Sequence, residues 1–433
     1  MDDVTVFCAD QRSVTALVQT CEDFGRALGA KVNCRKSEAM LFGEWHLASS
    51  AHFPFTVKPD FIQILGVWFG KEGAALKSWQ DRLGKINSKI GLWSSRKLSI
   101  EGKALVLRSE VLPVLQYTAQ AWPAHTTVCK AITQTVFCFI WGKMGRLKRT
   151  VIYKEPRKGG KGIPDIPTLL RASFACVSVQ RTLVEKTGSA GRSMSHLFLM
   201  PLWRQLGWDK WDSSIPYNGN APWFYGDVVR FVREHQLEGL KPDLWKPKTI
   251  YKLIRAKDLT ELVPGLPAAT AETVWTNVAS KRLTNGHKDL SWMAIKGGLY
   301  LRSFMHARNL CTTRYCPRCP YVEETSLHVF WQCPFAQGLL DALEHELRDS
   351  VPRSCLSYHS VLYGLFPGTH DMEAIQEAWR LVNCFKDAVW LARNRLVINR
   401  ENMSVRDSRR FIKSLLRDYS ILDSLAVDEE EEE

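Results

Sequence analysis

The tightest constraint on this chain lies between Cys316 and Cys333, in the segment CPRCPYVEETSLHVFWQC, which reads C-x2-C-x8-H-x4-C. Zinc favours four soft or borderline ligands in a tetrahedron, and three thiolates with one imidazole fill a closed structural site. The short step from Cys316 to Cys319 lets two sulfurs reach one ion from a single turn, which Pro317 and Pro320 stiffen. The longer gap lets the chain return, so that His328 and Cys333 arrive from the start of a helix. A closed site keeps no position for water, so its free energy goes into folding a small module rather than into catalysis. Two other readings stand beside it. One is chance clustering in a chain with 12 cysteines. The other is a thiol–imidazole nucleophile, for which no orienting acid is evident. Cys311 is a nearby competitor for the ligand set.

The remaining cysteines are spread singly in apolar surroundings, as at Cys8, Cys21, Cys138 and Cys176, and suit small buried hydrophobes. The N-terminus, MDDVTVF, has no positive segment followed by a long apolar stretch, and no run approaches the roughly 20 apolar residues that span a bilayer. The expectation is an intracellular protein, in the nucleus and/or the cytoplasm, with no membrane partner and without a disulfide framework. A formal charge of +13 points to a polyanionic partner, RNA and/or DNA, whose counterions Lys and Arg displace. Protein partners are not specified by any motif. With 433 residues, more than one core is expected.

Along the chain, residues 4–8 (VTVFC) read as a strand, and 13–29 as an amphipathic helix capped by Ser13 and ended by Gly29. Two strands follow at 38–43 and 61–69, an α+β opening. From residue 74 the chain reads as predominantly helical. In 76–93 a stripe runs through Leu76, Trp79, Leu83, Ile86, Ile90 and Trp93. Helices are also expected at 99–112, capped by Ser99 and closing before Pro113, then at 127–142 and from 167. Trp-rich loops between 200 and 250 form a boundary region. Helices return at 289–306, 335–348, 371–398 and 404–423.

Two further features carry chemistry. The stretch 143–161 holds eight Lys/Arg against one acid, with Gly159, Gly160 and Gly162 offering backbone that can approach phosphates. The adjacent carboxylates Asp2 and Asp3 are of the type that holds divalent metal for phosphoryl transfer, although a pair at a terminus is most often a solvated end.

The order of these blocks resembles the reverse transcriptase of non-LTR (LINE-type) retrotransposons. Met1, Asp2 and Asp3 match the last three positions of that family's aromatic-x-Asp-Asp box. Gly29, Asn33, Lys36 and Ser37 look like its next block, and Ile64, Leu65, Gly66 and Val67 like its primer grip. Trp93, Leu98, Ser99, Gly102, Lys103, Pro113 and Tyr117 follow the thumb pattern. FIWGK at 139–143, GGKGIPDI at 159–166, the zinc motif and VWLARNR at 389–395 continue the likeness over nearly the whole chain.

The resemblance implies an α+β, predominantly helical fold made of a truncated polymerase palm, a helical thumb and a helical C-terminal domain with a small zinc module. The expected divisions are 1–73 (partial palm), 74–165 (thumb and basic segment), 166–288 (Trp-rich linker), 289–348 (zinc region) and 349–433 (C-terminal helices and acidic tail). The family's activity is RNA-directed DNA polymerase, but its earlier palm strand and fingers precede the point where this sequence starts. Asp2 and Asp3 are therefore expected to be a relic without polymerase activity from this chain alone. Mg2+ would enter only with the rest of the polymerase, while structural Zn2+ is held by Cys316, Cys319, His328 and Cys333. Nucleic acid is expected at Lys85, Lys89, Arg96 and Lys103 of the thumb and at Arg146, Lys148, Arg149, Arg157, Lys158 and Lys161 after it. A zinc-stabilised, non-catalytic scaffold protein is the alternative.

Overall fold

The computed structural model describes residues 4–29, 32–43, 55–142, 147–183, 198–199, 222–348, 351–352, 355–368 and 371–431. Asp2, Asp3 and Arg146 lie outside them. The fold is predominantly helical with few strands. It divides into two compact units, each drawn from three stretches of chain: 1–95, 109–135 and 166–252 in the first, and 96–108, 136–165 and 253–433 in the second.

In the first unit, residues 4–8 are not a strand. They have no ladder partner among the described residues, and Val4 and Phe7 are exposed. Helix α1 (Gln11–Leu28) begins at Asp10, not Ser13. The Asp10 carboxylate accepts from both the backbone N–H and the hydroxyl of Ser13, and Gly29 closes the helix in the left-handed region at φ 68°. The block at Asn33 is a turn in which the Asn33 carbonyl accepts from Lys36 and Ser37. Only Glu38–Ala39 (β1) of the expected 38–43 strand pairs, in parallel with Thr56–Val57 (β2).

The apolar run 61–69 is a hairpin rather than one strand. Phe61–Ile64 (β3) pairs antiparallel with Val67–Gly70 (β4), and Leu65 and Gly66 make the turn with positive φ at both positions, 47° and 77°. Such a two-residue turn matches the natural twist of paired strands. A continuous apolar run hid this break because Leu65 carries a side chain where Asn or Gly is the usual signal.

Helix α2 (Ala74–Ser94) packs Trp79, Ile86 and Ile90 inward. The buried Arg82 on the same face ties three blocks together: its Nε donates to the Thr118 hydroxyl at 2.8 Å and its Nη2 to the Gly66 carbonyl at 2.6 Å. The Tyr117 hydroxyl donates to the Leu65 carbonyl at 2.5 Å, and Trp122 Nε1 to the Trp68 carbonyl at 2.8 Å. The hairpin tip is thus clamped by side chains from α2 and the helix that carries Tyr117.

Ser99 caps as expected, its hydroxyl accepting from Gly102 at 3.0 Å. The helix does not stop before Pro113. Ile100–Val106 (α3) passes through a π turn, Leu107–Val111, into Leu112–Ala119 (α4), which has Pro113 in its first turn. The π turn locally breaks the regular i→i−4 ladder just before Pro113, where the proline's missing N–H and its ring would otherwise conflict with a continuous α-helix. Thr126–Trp141 (α5), Arg149–Tyr153 (α6) and Ile166–Leu183 (α7) follow. In the first unit α7 packs on Trp223–His235 (α8), where Arg171 makes a bidentate pair with Asp227 at 3.0 Å. Pro247–Ala256 (α9) follows, with its residues from Leu253 onward belonging to the second unit.

The second unit is organised around Met372–Asn394 (α16), buried almost all round from Ala378 to Val389. Ala271–Val278 (α10) and Asn285–Ile295 (α11) precede the zinc-motif segment. The expected 289–306 helix is broken at Gly297–Gly298 and resumes as Arg302–His306 (α12). Pro334–Ala342 (α13), Glu344–Arg348 (α14) and Tyr358–Tyr363 (α15) follow, and Val405–Glu431 (α17) lies along α16. Among the described residues, no helix is long and apolar enough to cross a membrane.

Candidate metal centre

Three local devices deliver the four motif side chains. Arg314 to Glu324 forms a hairpin-like loop: Tyr315 bridges Glu323, the Cys316 N–H donates to the Val322 carbonyl at 2.7 Å, and Glu324 N–H to the Arg314 carbonyl at 3.0 Å. The knuckle between them turns the Arg318 N–H onto Cys316 Sγ at 3.4 Å. His328 starts a π turn, His328–Gln332, whose wider pitch lets the Cys333 N–H reach the His328 carbonyl at 2.7 Å. Cys333 then stands immediately before Pro334, at the N-terminus of α13.

The ligand atoms of Cys316, Cys319, His328 and Cys333 all lie within 4.8 Å of one another. Cys319 Sγ and Cys333 Sγ are 3.7 Å apart. Two sulfurs bonded at about 2.3 Å to a tetrahedral ion stand about 3.8 Å apart, so this spacing suits zinc. Both ring nitrogens of His328 are buried without a hydrogen-bond partner. Orphaned buried nitrogens are costly unless something binds them, and a metal takes one directly. The residues present fit the ion.

Hydrogen bonding to Cys333 and then burial push the Cys316 thiol up. Cys333 is held below the usual thiol range by the bond from Cys316, with help from the Phe335 N–H and against the effect of burial. Burial first, then the negative charge of Cys316, push Cys319 up. Cys311 stands outside the cluster, with its Sγ 3.1 Å from the Thr313 carbonyl. Arg318 lies over the Phe335 ring at 4.0 Å, donates to Asn402 Oδ1 at 2.8 Å and feels the charge of all three cysteines. Three thiolates around Zn2+ would leave one net negative charge, which Arg318 is placed to offset.

Glu324 was not anticipated as part of this centre. Its carboxylate is fully buried and forms a bidentate pair with Arg393 of α16, at 2.9 and 2.7 Å. It also accepts the Arg302 N–H at the start of α12 at 2.5 Å. The zinc loop is therefore riveted to the long central helix through the VWLARNR stretch. An acid inside the gap between Cys319 and His328 and an Arg 69 residues further on leave no pairing signal in sequence.

Residues 245–339 match a family model described as zinc-binding in reverse transcriptase. The match supports a reverse-transcriptase-related protein. It covers a minority of the chain but includes all four clustered residues, together with Trp275 and Trp292.

Those two tryptophans explain the Gly-Gly-Lys-Gly segment, which differs from its expected role. Gly159 and Gly160 are buried, not poised toward phosphates. A Cβ at Gly160 would sit 1.9 Å from the Lys154 carbonyl oxygen, and one at Gly159 within 2.7 Å of the Trp275 ring. Trp292 Nε1 donates to the Gly159 carbonyl at 2.9 Å and stacks on Trp141. Lys161 is turned inward beside Trp292 and pairs with Asp289 at 2.7 Å; burial holds its ammonium below the usual lysine range despite that partner. Lys158 donates to the Ala256 carbonyl and Lys103 to the Ile140 carbonyl, while Lys89 pairs with Glu110. Lys85, Arg96, Lys148, Arg149 and Arg157 are exposed, Arg149 over the Phe137 ring at 4.8 Å. Ion pairing and glycine packing, both tertiary, decide which basic residues face water.

Proposed function

We propose that this chain is part of a non-LTR (LINE-type) reverse transcriptase, in which Cys316, Cys319, His328 and Cys333 hold a structural Zn2+ and exposed basic residues bind RNA or DNA. The observation that carries the reading is the coincidence of the four-ligand cluster with the segment matched by the reverse-transcriptase zinc family. The palm-like and thumb-like blocks are supported by their order along the sequence and by the contact of Tyr117 with Leu65, which joins a thumb-pattern residue to the primer-grip-like turn. Zinc here has no open position, so its contribution is folding energy, about 10–16 kcal/mol in small structural sites.

The test is metal content and nucleic-acid binding of the purified chain. A single zinc per chain is expected, lost on Cys316→Ser with Cys319→Ser. Affinity for RNA or DNA should fall steeply with salt, as counterion release requires. Zinc retained at full stoichiometry in the double variant would overturn the ligand set, and absent or salt-insensitive binding the nucleic-acid reading.

A further inference from the structure

The outer face of the zinc loop carries an unusual side chain. Tyr321 is 88 % exposed and sits at φ 67°, in the left-handed region. A bulky aromatic is an outlier there: the conformation costs energy, and an exposed ring returns none of it through burial. Its neighbour across the knuckle, Tyr315, is also exposed, and the rings meet edge-to-face at 6.2 Å. Both belong to a frame held by the Tyr315–Glu323 bridge, the cysteine cluster and the Glu324–Arg393 rivet. Their positions are therefore set before any ligand arrives.

Along the chain leading up to this pair the charge has one sign, as far as the exposed Glu323 that bridges Tyr315. No Asp or Glu occurs between Asp289 and Glu323, whereas Lys296, Arg302, Arg308, Arg314 and Arg318 do. Lys296 is engaged with Glu261 and Arg318 with Asn402. Arg308 and Arg314 are exposed; Arg308 lies over the Phe304 ring at 4.1 Å, and Arg314 lies 5.7 Å from the Tyr315 ring centroid. Exposed aromatic faces beside guanidinium groups are what unpaired bases and their phosphates require, because every base has a π-face and a duplex hides it.

We infer that Tyr321 and Tyr315, with Arg314 and Arg308, form a stacking site for single-stranded nucleic acid on the zinc loop. The inference rests on the nucleic-acid reading above and deepens it, since it names the strand state and the residues. Phosphates lie against the arginines and a base against Tyr321.

The test uses the full chain with bound zinc and fluorescence anisotropy of labelled oligouridylate, oligodeoxythymidylate and a mixed-sequence DNA duplex. Tyr321→Asn suits the left-handed backbone, so the loop keeps its shape, and zinc content checks that it does. Its affinity for single strands should fall between about fivefold and a hundredfold, with duplex affinity unchanged. Tyr321→Phe, which keeps the ring, should bind within about twofold of the parent protein. The two single-stranded probes separate RNA from DNA as the preferred strand. Parent-like binding of single strands by Tyr321→Asn, or an equal loss on duplex, would overturn the stacking site alone. Failure of the parent protein to bind any of the three probes would overturn the reading on which it rests.

Discussion

The basic stretch 143–161 and the zinc loop 302–322 look alike as strings: the first is rich in Lys and Arg and the second in Arg, both are poor in acids, and both are punctuated by residues that break regular structure. They are built in opposite ways. In the first, the glycines admit Trp275 and the Lys154 backbone, and three lysines turn toward protein groups at Glu261, Ala256 and Asp289. In the second, the ligand cluster and a buried ion pair hold the loop from within, leaving tyrosines and arginines outside. Glycine lets a loop sink into a core; a metal lets a loop keep shape without one.

Removing what holds each loop tests that contrast. The largest effect should come from chelation or from Cys316→Ser with Cys319→Ser. Amide exchange should then accelerate across residues 311–340, while 154–163 keeps its protection because glycine packing does not depend on the ion. Simultaneous loss in both would mean that one support serves the two.

Arg393→Met should cost about 3–5 kcal/mol in denaturant unfolding, the usual result of stranding a buried carboxylate. Adding Glu324→Gln should return part of it, since an uncharged amide is less costly to leave unpaired. A second substitution that deepened the loss would show that Glu324 acts through something other than Arg393.

Gly160→Ala should destabilise by about 1–3 kcal/mol or more, because its Cβ has no room beside Lys154. Gly84→Ala, in the exposed middle of α2 with open space around it, should instead stabilise by about 0.5–1 kcal/mol. Equal effects at the two positions would refute the close-packing account of the basic stretch.

The smallest effect concerns Lys386 of α16, fully buried with its Nζ on the Ser291 hydroxyl at 2.7 Å and over the Trp379 ring at 4.1 Å. Burial holds its pKa well below the usual lysine value. The unfolded chain therefore binds this proton more readily, and stability should rise with pH from the depressed folded value toward about 10.5. Lys386→Met should flatten that slope and raise the neutral-pH melting temperature. An unchanged pH profile would show that Lys386 is protonated in the fold.

Much of the local structure was legible in the chain. The stripe through Trp79, Ile86 and Ile90, the Ser99 cap and the Gly29 stop are short-range consequences of side-chain spacing and backbone preference. The same holds for the metal motif, because C-x2-C-x8-H-x4-C places four donors within the reach of two turns. What failed depended on partners far along the chain. Residues 4–8 lack a neighbouring ladder, the 61–69 run bends at Leu65, and the π turn at Leu107–Val111 carries the helix past Pro113.

By itself, then, the sequence determined which residues bring soft ligands together and which surfaces are apolar, since spacing and composition act locally. Only the tertiary structure decided which charges face water. Lys161 and Glu324 found partners at Asp289 and Arg393, at sequence separations of 128 and 69 residues. Tyr321 was left outside in a conformation that only the closed loop imposes. Desolvation and pairing depend on what surrounds a group in space, and no local pattern records that.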